Sequence, residues 1–382
     1  MIKFLLLLII PLVAGQWVLL DPASPPIQST DENAQVGTCK DAPTWCIGDN
    51  SVYSLSSNGF WKFEVDIKRW FWQPETPVPM INTGQWSVNS LLYLYDGSVS
   101  IMWVYNTNTR VWTPYNSVVD PGPCVGSSVW SHLASNKLFL FGGSGSGNCS
   151  GGLWAYDLHT NQWSTVSTSG TAPSSSTTYG AATLGKDESH AYVFAADKMW
   201  QLDMQSFVWS QSPTDATNPP GPDRTGHVMW TSSSGADILI FGGIAGSKLL
   251  EDTWAYSVND KKWTFKGNTG PSAREAASYC INHDGYIVMF GGKTGPTTLT
   301  NDVWKYGPFT AQNVFEMIEW KLDSATLAAT IAAAGVIILL VMLIALCIYT
   351  CIKRCVAKRK QDQQYSYMMR PPAGGGDNVS VL

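Results

Sequence analysis

Short apolar runs alternate along most of the chain with turns rich in glycine, serine, asparagine and aspartate. Residues 138–141 and 238–241 are two such runs, and each is followed directly by a pair of glycines. Apolar runs of this length between turn residues predict buried β-strands. A glycine pair at the end of a strand indicates crowded backbone with no room for a Cβ atom. The pattern therefore predicts an all-β fold.

An aromatic motif recurs beside these runs. In it, an aromatic residue is followed two positions later by another aromatic or apolar residue, and seven positions after that by a tryptophan. Residues two apart lie on one face of a strand, and the gap is short enough for a hairpin turn. The copies are Trp61, Phe63 and Trp70; Trp103, Tyr105 and Trp112; Trp154, Tyr156 and Trp163; Trp200, Leu202 and Trp209; Trp254, Tyr256 and Trp263; and the incomplete pair Trp304 and Tyr306. Copies at intervals of roughly 40–50 residues predict an array of similar small sheets.

This combination resembles the kelch repeat, in which an apolar strand, a glycine pair, an acidic loop residue, Trp-x-Tyr and a final tryptophan follow one another. The glycines of the three complete pairs are Gly142, Gly143, Gly242, Gly243, Gly291 and Gly292. The resemblance covers residues 16–306 and is closest in the third, fifth and sixth repeats. It implies a six-bladed kelch-type β-propeller in which each blade is a four-stranded antiparallel sheet.

The sixth repeat lacks its final tryptophan, because position 313 is Asn313. We expect residues 16–20, a β-prone run that contains Trp17, to supply the outermost strand of the last blade and close the ring. Residues 314–320 also contain a tryptophan and are the competing candidate for this strand.

Two apolar segments outside the repeats predict the topology. Residues 1–15 combine one basic residue, a short apolar core and small residues, which is typical of a secretory signal peptide. Residues 324–352 contain no charge and are long enough to cross a bilayer as one transmembrane α-helix. Basic residues follow at once and belong on the cytoplasmic side. We therefore expect a single-pass type I protein of the cell membrane, with the propeller (16–306) outside, a stalk over 307–323 and a disordered cytoplasmic tail over 353–382.

The cysteines predicted to form disulfides in an oxidising exterior are Cys39, Cys46, Cys124 and Cys149. In a four-stranded up-and-down blade, the loop after the second strand and the segment before the first lie on one face. Cys124 and Cys149 occupy these two places in the third blade and are predicted to pair. Cys280 lies in an inner-strand run and is predicted to be a buried thiol. Asn148 begins a glycosylation sequon, and its occupancy is left open because the middle residue is Cys149.

The tail carries two further candidate sites. Cys351 and Cys355 flank the start of the basic cluster beside the predicted span, where palmitoylation and two unmodified thiols are equally open. Ser380 and Leu382 give the C-terminus the form of a PDZ ligand, whose free carboxylate is bound by backbone amides. Besides the membrane, we therefore expect a cytoplasmic PDZ-domain scaffold as a partner.

The repeat architecture places recognition in the loops, because the strands serve the scaffold. The longer loops between second and third strands and the linkers between blades are expected to lie on one face. This arrangement favours a cell-surface recognition or adhesion protein that binds an extracellular protein or a glycan. A formal charge of −5 and the absence of a basic stripe argue against binding to nucleic acid.

The alternative function is a membrane-tethered propeller enzyme, either similar to the copper-radical oxidases or active on carbohydrate. A copper site needs clustered histidine and tyrosine ligands around an open position. The histidines fall at different offsets from their repeat motifs, so repeat symmetry does not bring them together; they are His132, His159, His190, His227 and His283. We therefore expect no enzyme, with no catalytic residue, cofactor or metal site.

Overall fold

The computed structural model describes residues 16–21, 43–48, 50–56, 59–73, 84–148, 152–173, 181–212, 220–221, 223–282 and 286–307. All of them lie within one compact unit, residues 1–310. The predicted signal peptide, membrane span and tail lie outside these ranges, as does the predicted stalk apart from Gly307. None of the helical segments within the described ranges has the length and apolar character that crossing a bilayer requires.

The described strands form six blade sheets, which confirms the six-bladed β-propeller. Strand β1 (Gln16–Asp21) precedes the first blade. Blade 1 contains β2 (Thr44–Ile47), β3 (Ser51–Ser56), β4 (Gly59–Glu64) and β5 (Arg69–Gln73). Blade 2 contains β6 (Gly84–Val88), β7 (Leu91–Asp96), β8 (Ile101–Asn106) and β9 (Val111–Asn116). Blade 3 contains β10 (Ser128–His132), β11 (Lys137–Phe141), β12 (Leu153–Asp157) and β13 (Gln162–Val166), with a 3-10 turn over Leu133–Ser135.

The remaining blades follow the same plan. Blade 4 contains the short parallel strand β14 (Ser169–Gly170), β15 (Ala181–Leu184), β16 (His190–Ala195), β17 (Lys198–Asp203) and β18 (Val208–Gln211). Blade 5 contains β19 (Val228–Thr231), β20 (Asp237–Phe241), the small hairpin strands β21 (Ile244–Ala245) and β22 (Lys248–Leu249), β23 (Thr253–Ser257) and β24 (Lys262–Gly267). Blade 6 contains β25 (Ser278–Ile281), β26 (Ile287–Lys293) and β27 (Leu299–Gly307), and takes β1 as its fourth strand.

The glycine pairs of blades 3 and 5 lie where the chain leading into the first strand passes close to the end of the second. Gly143 has a φ of 96°, and a Cβ atom there would lie 2.5 Å from the Ser127 Oγ atom. Gly243 has a φ of 92°, and its Cβ atom would lie 2.8 Å from the carbonyl oxygen of Thr225. Both the backbone conformation and the available space therefore require glycine at these positions.

The N-terminal strand closes the ring, as the sequence predicts. Strand β1 pairs with β27, and Trp17 lies directly opposite Tyr306. In blade 5 the same pairing joins Trp263 to Tyr256. Trp17 therefore takes the place of the tryptophan that the sixth repeat lacks. The competing segment, residues 314–320, lies outside the described residues.

The recurring tryptophans join each blade to the blade before it. The outer-strand tryptophan of one blade packs against an aromatic ring of its predecessor, and both rings are buried. The ring-centroid distances are 5.3 Å for Trp112 and Phe60, 4.9 Å for Trp163 and Tyr95, 4.8 Å for Trp209 and Phe141, 5.3 Å for Trp263 and Phe194, 4.8 Å for Trp17 and Phe241, and 5.0 Å for Trp70 and Phe290. Because each aromatic pair contributes about 0.5–1.5 kcal/mol beyond the burial of its area, a cycle of six stabilises the ring at every seam.

A disulfide also crosses the seam between the last and first blades. It joins Cys46 of β2 to Cys280 of β25, which lie 234 positions apart. The prediction that Cys280 is a buried thiol is therefore wrong. Cys280 lies opposite Val288 in the register at which Trp130 of blade 3 lies opposite Phe139, so its side chain occupies the inter-blade position that a tryptophan fills elsewhere. In blade 6 that position faces blade 1 and its cysteine.

Cys124 is disulfide-bonded as well, and its partner lies outside the described residues. Cys149, the predicted partner, and Cys39 also lie outside them. The pairing of Cys124 with Cys149 therefore stays a prediction.

Replacement of Trp17 by alanine is expected to weaken ring closure. The indole is buried, donates a hydrogen bond of 3.0 Å from Nε1 to the Thr253 Oγ1 atom, and packs on Phe241. Loss of a buried tryptophan lowers the free energy of unfolding by about 3–5 kcal/mol, which denaturant unfolding followed by fluorescence would measure. The matched control is Trp72→Ala, because this indole on β5 is 41 % exposed. Equal losses in the two variants would contradict the closing role of Trp17.

Candidate functional site

Loops and linkers come together on one face of the propeller. Isolated β-bridges pair the segment before the first strand with the loop after the second strand of the same blade. These bridges are Val125 with Ser144 in blade 3, Thr225 with Ile244 in blade 5, and Glu275 with Lys293 in blade 6. We call this surface, made of the second-to-third-strand loops and the inter-blade linkers, the loop face. The opposite surface, formed by the turns between first and second and between third and fourth strands, is the tight-turn face.

In blade 5 the linker and the loop are joined by an ion pair between the buried Arg224 and the partly exposed Asp252. The Arg224 guanidinium donates to both carboxylate oxygens of Asp252, at 2.8 and 2.9 Å, and to the carbonyl oxygen of Gly242 at 3.1 Å. The indole of Trp254 donates to the same carboxylate at 2.7 Å. Although burial acts to raise it, these donors hold the pKa of Asp252 below its usual range.

Blade 6 repeats this cluster with equivalent residues. Arg274 donates to both carboxylate oxygens of Asp302, at 2.7 and 2.9 Å, and to the carbonyl oxygen of Gly291 at 2.8 Å. Burial again opposes the shift, and the guanidinium together with the Trp304 indole lowers the pKa of Asp302. In each blade the arginine precedes the aspartate by 28 positions. This equal spacing is the sequence signal that could have revealed the pairing, which the motif analysis missed.

Blade 3 has a cysteine at the position that the arginine occupies in blades 5 and 6. Cys124 precedes Val125 of the β-bridge just as Arg224 precedes Thr225, and Gly152 stands where the aspartate would be. The Trp154 indole donates to the carbonyl oxygen of Asn148 at 3.2 Å. The buried, disulfide-bonded Cys124 therefore occupies the arginine position.

The loops of blades 2 and 3 are packed backbone against backbone. A Cβ atom at Gly97 would lie 2.3 Å from the carbonyl oxygen of Gly122, and one at Gly147 would lie 2.4 Å from that of Pro121. Asp120 accepts a hydrogen bond of 2.7 Å from the Gly122 amide and another from the Tyr95 hydroxyl. Burial and this carboxylate raise the pKa of Tyr95 above its usual range. This part of the loop face is therefore held in one arrangement.

A cavity of about 510 Å³ lies among the first strands of all six blades. Its lining includes the hydroxyl groups of Ser87, Ser131 and Thr231, and its charged lining residues, Lys186 and Glu188, lie on the turn between β15 and β16. Along the first strands the cavity therefore offers mainly uncharged hydrogen-bonding groups.

The described histidines do not gather into a metal site. His132 contacts the Ser135 hydroxyl, and His190 contacts the Ser189 hydroxyl, both on the tight-turn face of neighbouring blades. His159 is exposed in the turn between β12 and β13, whereas His227 is buried before β19. Within the described ranges, no group of three or more His, Cys, Asp or Glu side chains is placed to hold a metal ion. His283 lies outside those ranges, and the expectation that the chain is not an enzyme stays a prediction.

The repeats of this chain match a known domain family. The family described as the KLHDC2/KLHL20/DRC7 Kelch-repeats domain matches residues 46–221 and 185–323, which together are more than half of the chain. The chain belongs to this kelch-repeat family. Its propeller carries the kelch pattern in full at blade 5, without the acidic loop residue at blade 3, without its own final tryptophan at blade 6, and in modified form at the other blades.

Several curated kelch proteins are similar over part of their length. Kelch domain-containing protein 2 of Bos taurus is 23% identical over 258 residues, covering 58% of this chain and 62% of the relative. The Rab9 effector protein with kelch motifs of Mus musculus is 32% identical over 131 residues, covering 31% of this chain and 32% of the relative. Tip elongation aberrant protein 1 of Schizosaccharomyces pombe is 26% identical over 197 residues, covering 47% of this chain and 17% of the relative. The match thus spans less than two thirds of each of these proteins.

Among solved structures, that of YjhT has a similar fold. The TM-score is 0.56 at 16% sequence identity, and the match covers 70% of this chain and 94% of YjhT. At this identity the similarity extends to the kelch propeller fold alone.

Acidification is expected to destabilise the kelch propeller through His227. Burial and the neighbouring Arg224 charge lower the pKa of this imidazole to about 3, and neither ring nitrogen makes a hydrogen bond of normal geometry. Between about pH 6.5 and pH 3, His227 therefore stays neutral in the folded protein. In the unfolded chain its pKa is about 6.5, so the imidazole is protonated there. The His227 contribution is therefore nil at neutral pH and becomes unfavourable as the pH falls from about 6.5 towards 3.

The measurement is denaturant unfolding of the wild type and of His227→Leu between pH 7 and pH 4.5. We expect the wild type to lose about 1.4 kcal/mol more stability per pH unit than the variant within this window. His159→Leu, at an exposed histidine, is the matched control and should follow the wild type. Parallel pH profiles for the wild type and His227→Leu would refute the assignment.

Proposed function

We propose that this kelch propeller is a recognition module of the cell surface, which binds a protein or glycan partner through its loop face. The observation that carries the proposal is the set of β-bridges that joins linkers and loops into one surface, while the strands and their tryptophans are committed to the ring. The chain belongs to the kelch-repeat family, and loops positioned by a rigid scaffold are the usual place of binding residues.

As part of the same proposal, we place the propeller in the oxidising environment outside the cell, because its cysteines form disulfides. A disulfide between blades 1 and 6 and a second one at Cys124 are common in secreted and cell-surface proteins and rare in the cytosol. The apolar segments within residues 1–15 and 324–352 support a signal peptide and a single span in type I orientation. On this topology the stalk over residues 307–323 connects the propeller to the bilayer.

The proposed topology gives the remaining sequence sites their roles. Asn148 is exposed on the loop face, where a glycosyltransferase of the secretory pathway would reach it. Cys351 and Cys355 would face the inner leaflet as palmitoylation sites. Ser380 and Leu382 would present a C-terminal ligand to a PDZ-domain scaffold in the cytoplasm.

Fixed loops suit recognition because little conformational entropy is lost when they bind. The loops of the free protein are already fixed in place. In blades 5 and 6 the ion pairs fix them, and in blades 2 and 3 the closely packed glycines do. Binding on such a surface proceeds with little backbone movement.

The topology is testable with an epitope tag. A tag inserted after Ser233, in the short turn between β19 and β20, is expected to stain intact cells, because this turn lies in the proposed ectodomain. A tag appended after Leu382 is expected to stain only permeabilised cells, because the tail is proposed to be cytoplasmic. Staining of both tags only after permeabilisation would contradict the cell-surface proposal.

The binding face is testable by blocking it with a glycan. An engineered N-glycan at Ser146, an exposed residue of the loop face, is expected to reduce partner labelling by at least tenfold in a proximity-labelling experiment on intact cells. An N-glycan at Ser233 on the tight-turn face is the control and should leave the labelled set unchanged. Equal effects at both sites would refute the choice of face.

A further inference from the structure

One position on the first strand of each blade faces the blade that follows it in the ring, and we call it the seam position. Its occupants, from blade 1 to blade 6, are Trp45, Trp86, Trp130, Thr183, Trp230 and Cys280. All of them are buried. They share one strand register: in blades 3 and 6 their partners are Phe139 and Val288, and each partner lies two residues before the phenylalanine of the glycine motif.

Two of the tryptophans at the seam position form hydrogen bonds with the next blade. The Trp45 indole donates to the carbonyl oxygen of Tyr93 in blade 2 at 3.0 Å. The Trp86 indole donates to the carbonyl oxygen of Trp130 in blade 3 at 3.1 Å. These seams are therefore joined on the inner strands by bonds that do not depend on the redox state of a cysteine.

Blades 4 and 5 are joined at the same level by two hydroxyl groups. Thr183, at the seam position of blade 4, has its Oγ1 atom 3.1 Å from the Oγ1 atom of Thr231 in blade 5. Thr231 is the residue directly after the seam position of its own blade, and Cys46 is the corresponding residue of blade 1. The disulfide between Cys280 and Cys46 thus joins blades 6 and 1 through the same two positions. It is the covalent counterpart of the threonine pair.

The disulfide lies beside the cavity of about 510 Å³ among the first strands. Cys280 lines this cavity, as do Thr44 and Trp45, the two residues that precede Cys46. Both cysteines are only 7% exposed, so the active site of a protein reductant has no surface on which to reach the sulfur atoms. Cavities of about 300–1,000 Å³ hold drug-sized molecules, and a small thiol is smaller than these. Access to the disulfide therefore depends on the size of the reductant.

We propose that the Cys46–Cys280 disulfide is a redox-sensitive clasp. Low-molecular-weight thiols reduce it from the cavity, and its reduction loosens the seam between blades 6 and 1. The clasp does not depend on the partner that the loop face binds.

The chemistry is thiol–disulfide exchange. The thiolate of the reagent attacks the Cys280 sulfur and forms a mixed disulfide, while the Cys46–Cys280 bond breaks and Cys46 leaves as a thiolate that takes a proton from water. A second reagent thiolate then attacks the reagent's sulfur in the mixed disulfide. This step releases the oxidised reagent and leaves Cys280 as a thiolate, which is protonated in turn. Two reagent thiols are thus oxidised for each disulfide that is reduced.

Reduction leaves the inner part of this seam weaker than the others. A thiol is a weak hydrogen-bond donor and fills less space than the indole at the seam position of blades 1, 2, 3 and 5. The outer part stays packed, because the rings of Trp70 and Phe290 lie 5.0 Å apart. We therefore expect β2 and β25 to separate locally while the rest of the ring stays folded.

The first measurement compares two reductants on the purified full-length protein under native conditions. Free thiols are alkylated after a timed incubation, and mass spectrometry follows Cys46 and Cys280. We expect 2-mercaptoethanol to reduce the pair at least tenfold faster than reduced thioredoxin at the same thiol concentration, because thioredoxin is too large for the cavity. Faster reduction by thioredoxin would overturn the route through the cavity. Reduction that proceeds only as fast as global unfolding would overturn the clasp itself.

The second measurement is hydrogen exchange in the wild type before and after reduction with 2-mercaptoethanol. We expect the amides of β2 and β25 to exchange at least tenfold faster after reduction. The amides of β15 and β19, which carry the threonine pair, are the internal control and should be unchanged. Unchanged exchange in β2 and β25 would refute the loosening of this seam.

The matched variant combines Cys46→Thr with Cys280→Thr and so copies the hydroxyl pair of blades 4 and 5. Its exchange should be the same with and without 2-mercaptoethanol. A response equal to that of the wild type would overturn the inference, because the disulfide of Cys124 would then be the sensitive bond. If this variant does not fold, the wild type decides: Cys46 and Cys280 must be alkylated as exchange rises, and alkylation of Cys124 in their place would refute the clasp.

Discussion

The propeller depends on tryptophans that lie between blades. A four-stranded sheet of this size cannot bury both of its faces alone, so each blade needs a neighbour on either side. The outer-strand tryptophan meets that need by packing on an aromatic ring of the preceding blade, as Trp163 does on Tyr95. The ring closes only if every pair of neighbouring blades, including blades 5 and 6, is joined by such a contact. Trp17, supplied from the start of the propeller, makes that seam.

The blades differ in how their loop faces are joined to this scaffold. Blades 5 and 6 use an arginine, an aspartate and an indole, and blade 3 uses a cysteine at the arginine position. An ion pair whose arginine is buried is stabilised when further hydrogen bonds reach its charged groups, and in blade 5 the Gly242 carbonyl and the Trp254 indole supply two of them.

The blades and their order could be predicted because their signals are local and repeated. A spacing such as Trp154, Tyr156 and Trp163 lies within one hairpin, and Asn313 revealed the missing strand by breaking the spacing. Contacts between blades carry no such local signal. The local pattern around Cys280 therefore predicts a buried thiol, although the fold brings this residue to Cys46 from 234 positions away. The exposure of Val118 could not be predicted either, because apolar residues in linkers are buried or exposed according to how the loops pack.

The position of β1 in the last blade has a consequence for biosynthesis. Residues 16–21 are made before every other strand of the propeller, yet their hydrogen-bonding partners in β27 are made only after the first five blades. Until then the earliest strand of the nascent chain is an open edge, available to chaperones and to the wrong neighbours. Maturation of the molecule is thus a single late event, in which both ends of the propeller meet and the cysteines of its first and last blades come within reach of each other.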